Sequence, residues 1–162
     1  MKDLIIQKIK ERFADSVIEF SDFRNDLSVL LKKEAIHDVA LFLRDDADLK
    51  FDMCKDATAI DWARRKNRFT VVYHIYSFKN NIELRLKADL DESDLNTVSL
   101  VSVWKSAEWY ERETFDMYGI NYVNHPDLRR IYLPEEFEYH PLRKDFPLLG
   151  IPGSLPLPKS EN

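Results

Sequence analysis

The 7 prolines of this chain all fall between Pro126 and Pro158, and its 3 glycines stand at Gly119, Gly150 and Gly153. Residues 1–118 contain neither. Proline fixes φ and removes a backbone donor, whereas glycine frees the backbone for turns. A chain punctuated in this way builds regular helices and strands only in its first part. The distribution predicts two regions, an α+β domain over residues 1–119 and an extended Pro-rich arm over residues 120–162.

Periodicity fills in the first region. Residues 4–13 read as a short amphipathic helix. Residues 17–20 and 27–31 read as strands around the turn-like segment 22–26. Residues 34–43 are helical, with apolar Ala35, Ile36, Val39, Ala40 and Leu43 at three-and-four spacing. Residues 49–60 hold one strand. Residues 68–78, RFTVVYHIYSF, are β-branched and aromatic, as strands prefer. Asn80-Asn81 suits a turn before the alternating strand ELRLK at 83–87. These elements predict a small, mostly antiparallel sheet with helices on one face.

Residues 106–118 form a further predicted helix. Ser106 is placed to cap it, Glu108 complements its dipole, and Gly119 follows where a left-handed cap is wanted. Glu108, Arg112 and Asp116 are spaced i, i+4, i+8, which reads as one charged ladder pairing Arg112 with Asp116. Glu111 and Glu113 lie off that ladder among Trp109, Tyr110, Phe115, Met117 and Tyr118. A helix so aromatic buries most of its circumference, so at least one carboxylate is desolvated and is expected to need a cationic partner.

Beyond Gly119, X-Pro steps recur at His125-Pro126, Leu133-Pro134, His140-Pro141, Phe146-Pro147 and Ile151-Pro152. Each forces an extended residue and removes a donor, which rules out a regular helix or a central strand. The segment nevertheless keeps large apolar groups such as Leu128, Ile131, Tyr132, Phe137, Leu142 and Phe146. The residues themselves therefore predict an arm lying along a partner's surface. The basic pairs Arg129-Arg130 and Arg143-Lys144 are interrupted by Asp127, Glu135, Glu136, Glu138 and Asp145, a pattern suited to salt bridges with another protein.

Several functions are disfavoured. A net charge of −5 gives a nucleic-acid binder no general basic field. The single cysteine, Cys54, can neither close an internal disulfide nor ligate an iron–sulfur cluster alone, and reads as core filler. The four histidines, His37, His74, His125 and His140, lack metal-ligand spacing, and no Gly-rich phosphate loop is present. No stretch approaches the ~18 consecutive apolar residues of a membrane span, and the charged N-terminus lacks a signal-peptide pattern. Glu111, Glu113 and Asp116 are candidate general acids and bases for a small hydrolase. The pattern supplies no positioned nucleophile or metal beside them, so a structural ion-pair network is the stronger reading.

Three runs also carry a family resemblance: ERETFDMYGI at 111–120, HPDLRRIYLP at 125–134 and HPLRKDFPL at 140–148. Together they resemble the signature of the 30 kDa subunit (the bacterial C subunit) of respiratory complex I, the NADH:quinone oxidoreductase. FDMCKDATAID and RFTVVYHIYS resemble the family's central strands. The family usually has glycine just before the first His-Pro, where this chain has Asn124.

The resemblance implies an α+β domain whose C-terminal extension runs over the neighbouring 49 kDa (D) subunit in the quinone-reducing part of the hydrophilic arm. It implies no catalytic, cofactor-binding or metal-binding residue in this chain; FMN, iron–sulfur clusters and quinone are used by the complex. It places the chain on the cytoplasmic side of the bacterial plasma membrane, peripheral through the complex. The motif and interface residues it marks are Glu111, Arg112, Glu113, Asp116, Gly119, His125, Pro126, Arg129, Arg130, His140, Pro141, Leu142, Arg143, Lys144 and Asp145. Related subunits occur in membrane-bound energy-converting hydrogenases and in deazaflavin-linked dehydrogenases, which keeps that alternative open.

Overall fold

A computed structural model of the chain describes residues 1–148, 150 and 151. Among these residues there are three α-helices and seven strands, in the order α1 (Lys2–Phe13), β1 (Val17–Phe23), β2 (Asp26–Leu31), α2 (Ile36–Asp45), β3 (Met53–Asp61), β4 (Phe69–Ser77), β5 (Ile82–Leu90), β6 (Asn96–Val98), α3 (Ala107–Tyr118) and β7 (Asn121–Val123). The first five strands make one sheet in the order β1-β2-β5-β4-β3. Its β1–β2, β3–β4 and β4–β5 pairings are antiparallel and its β2–β5 pairing is parallel. The mostly antiparallel α+β fold expected from periodicity is present, with one parallel seam.

Strict alternation gives the sheet two chemically different faces. Phe69, Val71, Tyr73 and Ile75 of β4 stand opposite Leu90, Ala88, Leu86 and Leu84 of β5, and all eight are fully buried. Ile5 and Ile9 of α1, Ile36, Val39, Ala40 and Leu43 of α2, and Ala107 of α3 join the same core. The helices therefore cover this face. The other face pairs Thr70 with Asp89, Val72 with Lys87 and His74 with Arg85. A polar chain crosses it: His74 Nδ1 lies 2.7 Å from Asp56, Arg85 Nε donates to His74 Nε2 at 3.0 Å, and Arg85 Nη2 donates to Asp26 at 2.7 Å. Because arginine can only donate, Nε2 accepts and the proton sits on Nδ1, facing Asp56.

Local chemistry sets the turns. The β1–β2 hairpin closes on Arg24 and Asn25 with φ of 52° and 73°, a two-residue turn matched to the strand twist. It is tighter than the five-residue turn expected from sequence. Two three-residue strands, β6 and β7, pair in parallel as a separate small sheet, with Thr97 opposite Tyr122. Neither is long enough to show in periodicity. The last strand of the globular part thus lies just beyond Gly119, and Tyr122 is buried in the core.

Candidate functional site

Helix α3 is placed between the sheet and the segment that follows it. Its N-terminal end is tied to the strand region around Phe51 and Cys54: Trp104 Nε1 donates to Phe51 O at 2.9 Å, and Ser106 Oγ donates to Cys54 O at 2.8 Å. Ser106 occupies the cap position but spends its hydroxyl on Cys54, so the expected side-chain cap is absent. Cys54 is fully buried and its thiol is pushed up to about 12, chiefly by burial. At the other end Gly119 adopts φ 78°, the expected left-handed cap.

Ala107, Glu111 and Thr114 share the face turned inward, and all are buried. The Glu111 carboxyl is fully enclosed. Tyr73 Oη donates to Oε1 at 2.9 Å, the Leu100 N–H to Oε1 at 2.7 Å, and Ser99 Oγ to Oε2 at 2.6 Å. Beside it Tyr122 Oη and Thr114 Oγ1 are 2.6 Å apart. Burial raises the Glu111 carboxyl to about 7, with the Ser99, Leu100 and Tyr73 hydrogen bonds opposing the rise. Sequence reasoning anticipates a desolvated carboxylate with a cation beside it. At Glu111 no cation is present, and hydroxyls and a backbone N–H supply the donors; the buried carboxylate with a cationic partner on this helix is Asp116, which pairs with Arg130.

Arg112 and Asp116 share the opposite face, but they do not pair as the ladder predicts. Arg112 Nε and Nη2 donate to the carbonyls of Arg129 and Arg130 at 3.2 and 3.3 Å, and its guanidinium lies 4.9 Å from the Trp109 ring centre. Asp116, fully buried, takes Arg130 Nη1 on Oδ1 at 2.5 Å. Its Oδ2 accepts the consecutive N–H groups of Ile131, Tyr132 and Leu133 at 3.1, 2.8 and 3.1 Å. Burial works against its ionisation, but the Tyr132, Ile131, Arg130 and Leu133 donors outweigh it and hold the carboxyl below the usual range. The sequence offers Arg112 because i, i+4 neighbours are visible in one dimension; Arg130 reaches Asp116 only through the fold.

The following segment is tied back to α3 again at its next His-Pro step. His140 Nδ1 lies 2.9 Å from Asp116 O, and the Leu142 N–H donates to Met117 O at 3.2 Å. A Cβ on Gly119 would stand 2.6 Å from His140 Nε2, so glycine is needed there for room as well as for φ. Burial lowers the His140 pKa. At the first His-Pro step, His125 Nε2 lies 3.2 Å from Glu108 O while its Nδ1 accepts the Asp127 N–H. Asn124 holds φ 66°, a left-handed conformation asparagine tolerates, at the position where glycine is usual in the resembling family.

A second clamp escapes sequence reasoning. Asp61 ends β3 and Arg68 precedes β4. They form a buried two-point ion pair, Nε to Oδ1 at 2.9 Å and Nη2 to Oδ2 at 2.8 Å. Arg68 Nη1 also reaches Glu92 at 2.6 Å and Asp145 at 3.0 Å, while the Lys144 N–H donates to Asp61 Oδ2 at 2.7 Å. The Arg68 hydrogen bond is the leading reason that the carboxyls of Asp61 and Asp145 lie below their ordinary range. The available signal is an acid and a base flanking the β3–β4 connection, each within a run that resembles the family's central strands. Arg143 lies over Phe69, 4.9 Å from its ring centre.

The remaining marked residues face outward. Arg129 pairs with Asp127 in the open, Pro126 and Lys144 are exposed, and Pro141 and Glu113 are half-buried. Glu113 makes no side-chain hydrogen bond among the described residues. Trp109, Val123, Tyr132, Tyr139, Leu142 and Leu148 are exposed large apolar groups on and after α3. The candidate acids are therefore used internally: Glu111 and Asp116 are fully buried and bonded to their own chain. The arrangement fastens a Pro-rich segment to a helix, packs Leu128 against the core and leaves Tyr132, Tyr139 and Leu142 facing outward. Residue 149 and the part of the expected arm at 152–162 lie outside the described residues.

A profile described as respiratory-chain NADH dehydrogenase, 30 Kd subunit, matches residues 29–151. The C subunit of NADH-quinone oxidoreductase from Roseiflexus sp. (strain RS-1) is 44% identical over 144 residues, which is 89% of this chain and 83% of that protein. Two solved structures share the fold. A trypsin-resistant fragment of Nqo5 aligns with a TM-score of 0.67 at 24% identity, over 76% of this chain and 98% of that one. A chain of a membrane-bound sulfane sulfur reductase, an archaeal respiratory membrane complex, aligns with a TM-score of 0.76 at 22% identity, over 91% of this chain and 86% of that one.

Proposed function

Because the chain belongs to the family of the respiratory-chain NADH dehydrogenase 30 kDa subunit, we propose that it is a non-catalytic structural and assembly subunit in the quinone-reducing arm of a proton-translocating NADH:quinone oxidoreductase. In this reading the domain of residues 1–119 is the body, and residues 120–162 are an arm that packs against the 49 kDa (D) subunit. Flavin, iron–sulfur and quinone chemistry belongs to the other subunits. The chain sits on the cytoplasmic side of the bacterial membrane through its partners. No helix among the described residues is long and apolar enough to cross a membrane.

The observation that carries this reading is the double clamp. Asp116 fixes residues 130–133 and the Asp61–Arg68 pair fixes residues 144–145. A Pro-rich segment with few backbone bonds of its own is thereby given a defined course, with Tyr132, Tyr139 and Leu142 left uncovered. Aromatic groups presented on a rigid base are the usual energetic centre of a protein–protein interface.

The test is a tagged purification from detergent-solubilised membranes with an assay of NADH:quinone reduction. The reading expects co-recovery of the D subunit with activity, and lower complex yield when Arg143→Ala and Lys144→Ala are combined. Recovery with a large subunit that has nickel-ligating cysteines would transfer the role to a hydrogenase-type complex. Recovery of the chain alone, or turnover by it alone, would sink the proposal.

A further inference from the structure

We propose that the connection between β3 and β4, together with Lys144, is a cationic docking surface for an acidic segment of a neighbouring subunit. The connection runs Trp62-Ala63-Arg64-Arg65-Lys66-Asn67, and all of it is exposed. It is closed at its base, where the Trp62 N–H donates to Arg68 O at 2.8 Å. Asp61 joins it to the clamped segment: the Ala63 N–H donates to Oδ1 at 2.8 Å and the Lys144 N–H to Oδ2 at 2.7 Å. Two stretches remote in sequence thus meet on the two oxygens of one carboxylate. They bring Arg64, Arg65, Lys66 and the exposed Lys144 to one end of the sheet.

These four side chains make no hydrogen bond and no salt bridge among the described residues, and the acids near them are engaged elsewhere. Arg68 holds Asp61, Glu92 and Asp145. The Asp91 carboxyl is lowered first by its hydrogen bonds from Ser93 and only then by the field of Lys66. Four uncommitted cations therefore stand together on a chain of net charge −5, which makes the spot complementary to carboxylates.

The cations are also presented on a fixed base. The Arg65 guanidinium lies 3.8 Å from the Trp62 ring centre, and Trp62 Nε1 donates to Thr70 Oγ1 at 2.9 Å. Stacking orients the guanidinium and leaves its N–H donors open to a two-point bond with a carboxylate. Ala63 holds φ 59°, and the Arg64 N–H donates to Trp62 O at 2.6 Å, a three-residue turn that a residue with a side chain rarely adopts. Such backbone persists where its surroundings hold it, here through Asp61.

The indole selects the class of occupant. A membrane-facing patch combines cations with apolar groups free to enter lipid. Trp62 is instead spent beneath Arg65 and on Thr70. A nucleic acid needs a basic stripe along its phosphates, whereas these cations occupy one spot beside bonded acids. A short run of Asp and Glu in a protein partner meets both conditions. The inference rests on the reading that the chain works inside a multisubunit complex, and Lys144 makes the surface continuous with the clamped segment.

The test treats the detergent-purified complex with a water-soluble carbodiimide, which joins a lysine amine to a carboxylate that it touches, and maps the products by mass spectrometry. Lys66 and Lys144 are expected to be linked to Asp or Glu residues of one stretch in another subunit. Combining Arg64→Glu, Arg65→Glu and Lys66→Glu, all exposed, is expected to cut recovery of the chain in the complex about tenfold, equivalent to ~1.4 kcal/mol. The isolated variant is expected to keep the parental melting midpoint; the map is made on the unaltered chain, so it decides even if the variant unfolds. Links only within this chain or to a second copy overturn the proposal, as does parental recovery of the variant. Loss of phospholipid from the variant complex, with no intersubunit link at either lysine in the parent, assigns the surface to a lipid headgroup and overturns it too. If the complex contains the chain but neither lysine joins another subunit, this surface alone is refuted. If the chain enters no complex, the functional reading falls with it.

Discussion

Replacing Asp116 with asparagine isolates the first clamp. The side chain keeps its shape, but the carboxylate that accepts Arg130 and three consecutive N–H groups becomes an amide with donors of its own. Whichever way the amide turns, an NH2 group faces donors in a fully buried site. Removing one partner of a buried ion pair costs about 3–5 kcal/mol. The lower end applies here, because residues 130–133 can leave the helix and hydrate, which limits the loss to the free energy of releasing them. A loss of about 3 kcal/mol corresponds to a fall of roughly 6–12 °C in melting midpoint for a domain of this size. To the extent that release replaces global melting, the midpoint moves less and trypsin gains access to Arg129 and Arg130. Thermal unfolding and timed trypsin digestion together capture both routes. A midpoint within about 2 °C of the parent, combined with an unchanged digestion pattern, would refute the clamp. The pairing itself is tested by a double-mutant cycle: Asp116 with Arg130 is expected to couple by about 1 kcal/mol or more, and Asp116 with Arg112 by far less.

Three further perturbations have definite directions. The Glu111 carboxyl is raised to about 7 in the folded chain from 4.5, so the folded state binds more protons between those values and stability falls as pH rises through them. Glu111→Gln should remove that slope, gaining up to ~3 kcal/mol relative to the parent at pH 8 compared with pH 4, read from urea midpoints at both pH values. Gly119→Ala places a Cβ 2.6 Å from His140 Nε2 at φ 78° and should destabilise by more than about 1 kcal/mol, with His140 displaced in the NMR spectrum; a parental midpoint and His140 signal would contradict it. Arg68→Ala strands the buried Asp61 carboxylate and should cost about 3–5 kcal/mol in urea unfolding. Arg129→Ala, exposed and paired among the described residues only with Asp127, should stay within about 0.5 kcal/mol, so equal losses at the two arginines would refute the second clamp.

The elements that periodicity can locate are those with one wet and one dry side. Helix α2 shows its inner stripe in sequence, and β4 and β5 show their β-branched and alternating composition. The strands β6 and β7 are three residues long and draw their register from each other across 22 intervening residues, so no local window contains them. The clamps are half legible. The sequence marks Asp116, Arg130 and His140 as motif residues and Gly119 as a cap, yet it pairs Asp116 with the wrong arginine. Helical proximity can be counted along a chain; the approach of Arg130 depends on β7 and on the turns that follow it up to residue 129. Asp61 and Arg68 are hidden because each looks like an ordinary charged residue beside a strand. Only burial, which one sequence does not display, distinguishes that ion pair from a surface one.

The single parallel seam in the sheet also imposes an order of events on synthesis. Strand β2 pairs with β1 through a two-residue turn, so this hairpin can close as soon as both strands leave the ribosome. Its other edge is matched to β5, Ser28 to Arg85 through Leu31 to Ala88, and that partner emerges more than fifty residues later. At about 5–20 residues per second the wait lasts seconds. Throughout it Leu27, Val29 and Leu31 lack the sheet that buries them in the finished fold. The meander β3–β4–β5 is joined by short connections and has only local closures to make, so it forms as the nucleus that receives the waiting hairpin. The first helix and hairpin to be made are thus secured only after the meander that follows them, and their apolar residues wait for sheet partners until residue 88 has been translated.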